Sequence, residues 1–271
     1  MNKRLKAAFL AAPLIGAGYF FGMICKQISQ AYELILAPSG EILILLLWFL
    51  LALVAVMVSA GLVAALLRPV WAGIIVSALS GLAMLLAWQV TVGSGILVLV
   101  YFLTASLCAV GVARELNERI RFSVRPIGEG QAMLRMTLIL VSCGSLYFGY
   151  AAHVEREGFS IPESYIEIFM EQMEKQIMTQ MPVEGREEAV AQFRDEFRSR
   201  IDDFFEQTLK PYEQFIPLGL AASLFMPLVS IVSLLAWVPT MVLNLIFPLL
   251  TMLGVTEVIT ETQEVQRLTI G

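Results

Sequence analysis

The chain has 271 residues, of which 58% are hydrophobic and only 15% charged, with a mean hydropathy of +0.77. Soluble domains carry about 25% charged residues, so an ordinary soluble globule is excluded. The formal charge of -5 says little about partners, because the acids are gathered in one block.

Apolar runs of about 20 residues recur, each long enough to cross a bilayer core of about 30 Å. The alternating segments of about ten residues that mark a membrane β-barrel are not seen. The predicted fold is therefore an all-α, polytopic transmembrane helical bundle of six or seven spans, residues 1–152 forming a five-span unit.

The first run, Ala7 to Cys25, follows Lys3, Arg4 and Lys6. This pattern is shared with secretory signals, but the run is longer than a signal core and ends without a small-x-small site, so an uncleaved span is expected. Gly18 and Gly22, four residues apart, should let a neighbouring helix approach closely. A turn at Pro38, Ser39 and Gly40 leads to the longest run, Ile42 to Leu67. The third span, Val70 to Trp88, carries Gly73, Ser77 and Gly81 as a small-residue face, with Trp71 and Trp88 expected at its two interfaces.

After the uncharged turn from Gln89 to Gly95, the fourth span, Ile96 to Ala113, places Ala105, Ala109 and Ala113 on one face. Arginines Arg114, Arg119, Arg121, Arg125 and Arg135 follow, in a segment that Pro126, Gly128 and Gly130 should break. The fifth span is expected from Met136 to Ala152.

Placing the N-terminus in the cytoplasm puts nine basic residues of the short loops inside and only Lys26 outside. The positive-inside rule then sends residues 153–215 out of the cytoplasm. This block holds seven Lys/Arg and fifteen Asp/Glu. It reads as an amphipathic helical hairpin with a turn at Pro182 to Gly185. Ser160 and Glu163 have capping-box spacing, with Pro162 in the first turn. Ile166, Phe169 and Met173 lie on the stripe of the first helix, and Phe193, Phe197, Ile201 and Phe204 on that of the second. Glu171 with Lys175, and Glu196 with Arg200, have i,i+4 spacing. Such a hairpin buries little by itself, so the stripes should dock on each other, on the membrane or on another subunit.

Residues 216–255 are apolar again and contain Pro217, Pro227, Pro239 and Pro248. A straight helix of about 40 residues would be about 60 Å long, twice the bilayer core, so the run must break, most simply at Val238 and Pro239. Two short spans are expected, giving seven in all. Thr240, Asn244 and Thr251 would then be hydrogen-bonding glue between buried helices; one span followed by an interfacial segment is the alternative. Residues 256–271 form a polar tail.

Candidate sites are few. The cysteines Cys25, Cys108 and Cys143 read as small buried hydrophobes. His153 and Glu157 share a face at a spacing that suits a metal, but no third ligand is near, and interfacial polar residues are the simpler reading. Met170, Met173, Met178 and Met181 have the softness for Cu(I), yet fall on the packing stripe. Arg114, Arg119, Arg121 and Arg125 are chiefly a topology signal and suit contact with anionic lipid headgroups.

No catalytic set, metal site or cofactor is expected. The central parts of the expected spans hold no Asp, Glu, Lys, Arg or His, which weighs against an ion-coupled transporter or intramembrane protease. The expected role is a non-enzymatic scaffold or assembly protein, the 153–215 hairpin meeting a second copy or a partner protein. A carrier for an uncharged solute and a lipid-acting enzyme are the alternatives.

Overall fold

The computed structural model describes residues 3–32, 40–118, 125–157, 196–197, 199–200, 210–254 and 256. Among them lie seven longer helices: α1 (Lys3–Gln30), α2 (Gly40–Leu66), α3 (Val70–Ala87), α4 (Val92–Glu118), α5 (Arg125–Glu157), α6 (Ile216–Leu234) and α7 (Val238–Met252). A 3-10 turn, Lys210–Phe215, precedes α6. Six stretches are long and apolar enough to cross a membrane: Ala8–Gln30, Gly40–Leu66, Val70–Ala87, Val92–Leu116, Ile127–Arg156 and Ile216–Leu234. The protein is a multi-pass helical membrane bundle.

Lipid tails are as apolar as leucine, so burial of apolar surface gives little drive to associate these helices, and close packing and hydrogen bonds must hold them. α1 is the central element, packed on α2, α3 and α5. Its Gly18 and Gly22 do what their spacing predicts: a Cβ at Gly18 would strike Ser80, and one at Gly22 would strike the backbone of Met84, both on α3. The same approach brings a hydroxyl relay together. Ser80 Oγ donates to the carbonyl of Leu14 at 2.9 Å. Tyr101 Oη lies 3.0 Å from Ser80 Oγ, and because the serine proton is already committed, the tyrosine is the donor. Ser80 and Tyr101 are both wholly buried. One relay thus joins α4, α3 and α1.

On α4, Ala105, Ala109 and Ala113 are all buried, as their shared face implies. Trp71, near the start of α3, is 62% exposed, and Trp88, just past its end, is 8% exposed and packed against the core.

The fifth span departs from expectation. Pro126, Gly128 and Gly130 do not break the chain; α5 runs unbroken from Arg125. Proline is compatible with a first helical turn, where its missing N–H would have no partner. The glycines serve contact: a Cβ at Gly128 would press on Thr240 of α7, and one at Gly130 on Val112 of α4. The longer helix also brings a charge into a span, toward one end and not at its centre. Arg135, assigned to a loop by its neighbours, stands eight residues inside the span Ile127–Arg156, about 12 Å along the helix.

The C-terminal run breaks close to the expected place, in a turn at residues 235–237, with Pro239 in the first turn of α7. The second half is shorter than expected. α7 has 15 residues, about 22 Å, too short for a full crossing of the bilayer core. Among the described residues six helices, not seven, have spanning length. Leu243, Phe247 and Leu250 of α7 pack with Val58 and Leu62 of α2, Val112 of α4 and Ile127 of α5. That is the end of the bundle where α2 and α4 finish and α5 begins. Asn244 is exposed instead of bonding between buried helices, and Thr251 donates to the carbonyl of Phe247 on its own helix at 3.0 Å.

α6 packs along α5. Its last residue is six positions before Thr240, which touches Gly128 near the start of α5, so α6 runs antiparallel to α5. Both flanks of the acidic block therefore leave the bundle at one end, opposite the arginine-bearing connection between α4 and α5.

The relay gives a stability test. Ser80→Ala leaves the Tyr101 hydroxyl buried without its acceptor and is expected to cost about 1–2 kcal/mol. Adding Tyr101→Phe should recover part of that loss in a double-mutant cycle, read from thermal unfolding of the purified chain; strictly additive losses would show that the two hydroxyls are not coupled.

Candidate functional site

A pocket of about 450 Å³ opens at the end of the bundle from which the acidic block leaves. Three elements build it. The end of α1 contributes Ser29, Gln30 and Tyr32; the α3–α4 turn contributes Trp88, Gln89 and Thr91; and the last three turns of α5 bring Phe148, Gly149, His153 and Arg156.

Each wall has a local cause. The α3–α4 turn is an N-terminal cap of α4. Ser94 N–H donates to Thr91 Oγ1 at 3.2 Å, and Thr91 N–H donates to Ser94 Oγ at 2.9 Å. This is a reciprocal capping box with serine in the place usually held by Glu or Gln. Ser94 Oγ also lies 2.6 Å from the carbonyl of Gln89, closing the turn behind the pocket. Gly149 lets α5 approach α1, since a Cβ there would collide with Ser29, and Gly93 leaves room for the ring of Phe148.

Aromatic contacts fasten the far side. The rings of Tyr32 and His153 stack at 4.6 Å, with the tyrosine hydroxyl 3.4 Å from His153 Nδ1. Tyr150 lies 5.2 Å from Tyr32 and 6.2 Å from His153, making a cluster of three rings between α1 and α5.

Among the described residues the lining holds no carboxylate, and Arg156 is its one permanent cation. Several hydroxyls are already committed to backbone. Ser29 donates to the carbonyl of Lys26 at 2.7 Å, and Ser145, on the floor, donates to that of Ser142 at 2.7 Å. Gln30, Gln89 and Arg156 are exposed residues of the lining and carry further donors.

A second polar group lies deep at the opposite end. Gln131, fully buried, donates through Nε2 to the carbonyl of Met57 at 2.5 Å and leaves its Oε1 without a hydrogen-bond partner. Arg135, one turn further along α5, has a buried Nε that also lacks one.

The structure places the sequence candidates unevenly. His153 stands in the pocket wall, stacked on tyrosine. Arg114 is exposed near the end of α4, and Arg125 opens α5. Arg119 and Arg121 lie outside the described residues, as do Ile166, Phe169, Met173, Phe193, Ile201 and Phe204, and Met170, Met178 and Met181. Of the stripe, only Phe197 is described, helical and partly buried. The expected Glu196–Arg200 ion pair is formed at 2.8 Å on an exposed face. Among the described residues no three His, Cys, Asp or Glu side chains gather as a metal group, and the three cysteines are buried and unpaired.

The pocket was not singled out by sequence spacing, because its residues come from three separated segments. Topology was the available signal: counting spans puts Gln30, Gln89 and His153 at one membrane face.

Removing a ring should loosen this end. Tyr32→Ala is expected to cost about 0.5–1.5 kcal/mol for each lost ring contact beyond buried area. It should also speed hydrogen exchange in residues 26–32 without affecting the Gly22 crossing; unchanged exchange there would mean that the rings do not hold α1 to α5.

Comparison with protein-family models, with curated proteins and with solved structures finds no match to this chain.

Proposed function

We propose that this protein is a non-enzymatic membrane scaffold that presents residues 153–215 outside the cytoplasm for contact with a second copy or a partner protein. The observation that carries the reading is the placement of that block. Both its flanks leave one end of the bundle, and the arginine-bearing α4–α5 connection lies at the other. Moving Arg135 from loop to helix leaves eight basic residues against Lys26 in the short connections, so the positive-inside argument still favours the arginine end as cytoplasmic. The tight α1–α3 crossing and the serines bonded to their own backbones suit a bundle whose work is to hold a shape.

Two experiments test this. In a background lacking Cys25, Cys108 and Cys143, a membrane-impermeant thiol reagent on intact cells should label Ser199→Cys and spare Ser123→Cys. The reverse pattern would invert the topology. For the contact role, Phe197→Asp is expected to abolish crosslinked complexes recovered from native membranes while the bundle keeps its melting temperature. Complexes of unchanged size and yield would remove the stripe as the contact surface.

A further inference from the structure

We infer that the pocket between α1, the α3–α4 turn and α5 binds an anionic amphiphile: a carboxylate or phosphate carried on an apolar or aromatic body. This goes beyond the scaffold reading, which requires no ligand.

Size comes first. At about 450 Å³ the pocket falls within the range of about 300–1,000 Å³ typical of small-molecule sites. Its chemistry is one-sided. Among the described residues no Asp or Glu lines it, so a cation entering would lose hydration and meet the Arg156 guanidinium without a described carboxylate to offset it. Glu155 is exposed beside Arg156 in sequence, but it is not part of the lining. An anion would find a guanidinium that makes no ion pair among the described residues, flanked by the amides of Gln30 and Gln89. These residues supply charge-assisted and neutral donors to one lining. Trp88 and Phe148 supply a flat apolar wall beside them, which suits a body that stacks or buries hydrocarbon.

The acidic block next to the pocket would repel free anions at long range. Exposed charges are screened beyond about 10 Å at 0.1 M salt, so within the pocket the local donors decide. A lipid headgroup arriving along the bilayer would avoid that approach altogether. The same chemistry thus has two sources, a phospholipid phosphate or a soluble anion.

The test uses the full chain in phosphatidylcholine nanodiscs, with Trp48, Trp71 and Trp237 replaced by Phe so that Trp88 is the sole indole. Phenyl phosphate is expected to shift Trp88 emission saturably, and benzyltrimethylammonium to leave it unchanged. Arg156→Gln should weaken the phenyl phosphate response about tenfold, as expected for loss of one charge-assisted bond. Gln89→Ala is a second variant, expected to weaken it by a smaller factor.

Adding phosphatidylglycerol to the nanodiscs separates the sources. If it shifts the emission alone and phenyl phosphate competes, the ligand is a lipid headgroup; if it does nothing while phenyl phosphate still titrates, the ligand is a soluble anion. The inference is overturned if neither probe moves the emission, if the ammonium binds as well as the phosphate, or if both variants titrate like the parent.

Discussion

The hydrogen-bonded chain from the Tyr101 hydroxyl through Ser80 to the carbonyl of Leu14 is the contact on which the bundle's arrangement depends. It sits one helical turn from the Gly22–Met84 approach and beside the Gly18–Ser80 approach, so packing and polar bonding act at the same place. Removing a Cβ lets backbones meet; meeting backbones bring a serine within reach of a carbonyl on another helix; the serine then accepts from a tyrosine on a third. Neither half would suffice in a lipid solvent, where apolar surface gains little by leaving the tails. With α1 fixed to α3 and α4, the ends of α1 and α5 are brought together, and the pocket walls follow from that.

Much of this architecture was legible in the sequence because the bilayer allows few solutions. A charge-free run of the right length has to be a helix, and the positions of Gly18, Gly22, Ala105 and Ala109 announced which faces would be approached. Sequence reading failed where a residue has two physical uses. Pro126, Gly128 and Gly130 look like helix breakers, yet at the start of α5 the proline is tolerated and the glycines admit Thr240 and Val112. That error hid Arg135 and Gln131 inside a span. The pocket escaped for another reason: its walls are assembled from segments more than fifty residues apart, and spacing along one helix carries no information about them.

The two polar centres of the bundle differ in kind. At one end, exposed polar residues and stacked rings line an open pocket. At the other, Gln131 binds the α2 backbone and keeps an oxygen unpartnered in the interior. An amide with one hand occupied fixes the register of α5 against α2, since sliding either helix by a residue would cost the bond and bury both ends of the amide.

α7 has a consequence for the membrane rather than for the protein. It adds one more helix, about 22 Å long and about 10–12 Å across, at the end of the six spans where α5 begins. Met241, Leu245, Leu249 and Met252 on its outer side are all more than half exposed, so this bulk is wetted by lipid tails and not by water. An apolar face of that kind keeps α7 at the depth of the acyl chains, so the leaflet on that side gives up area to a helix that does not cross to the other.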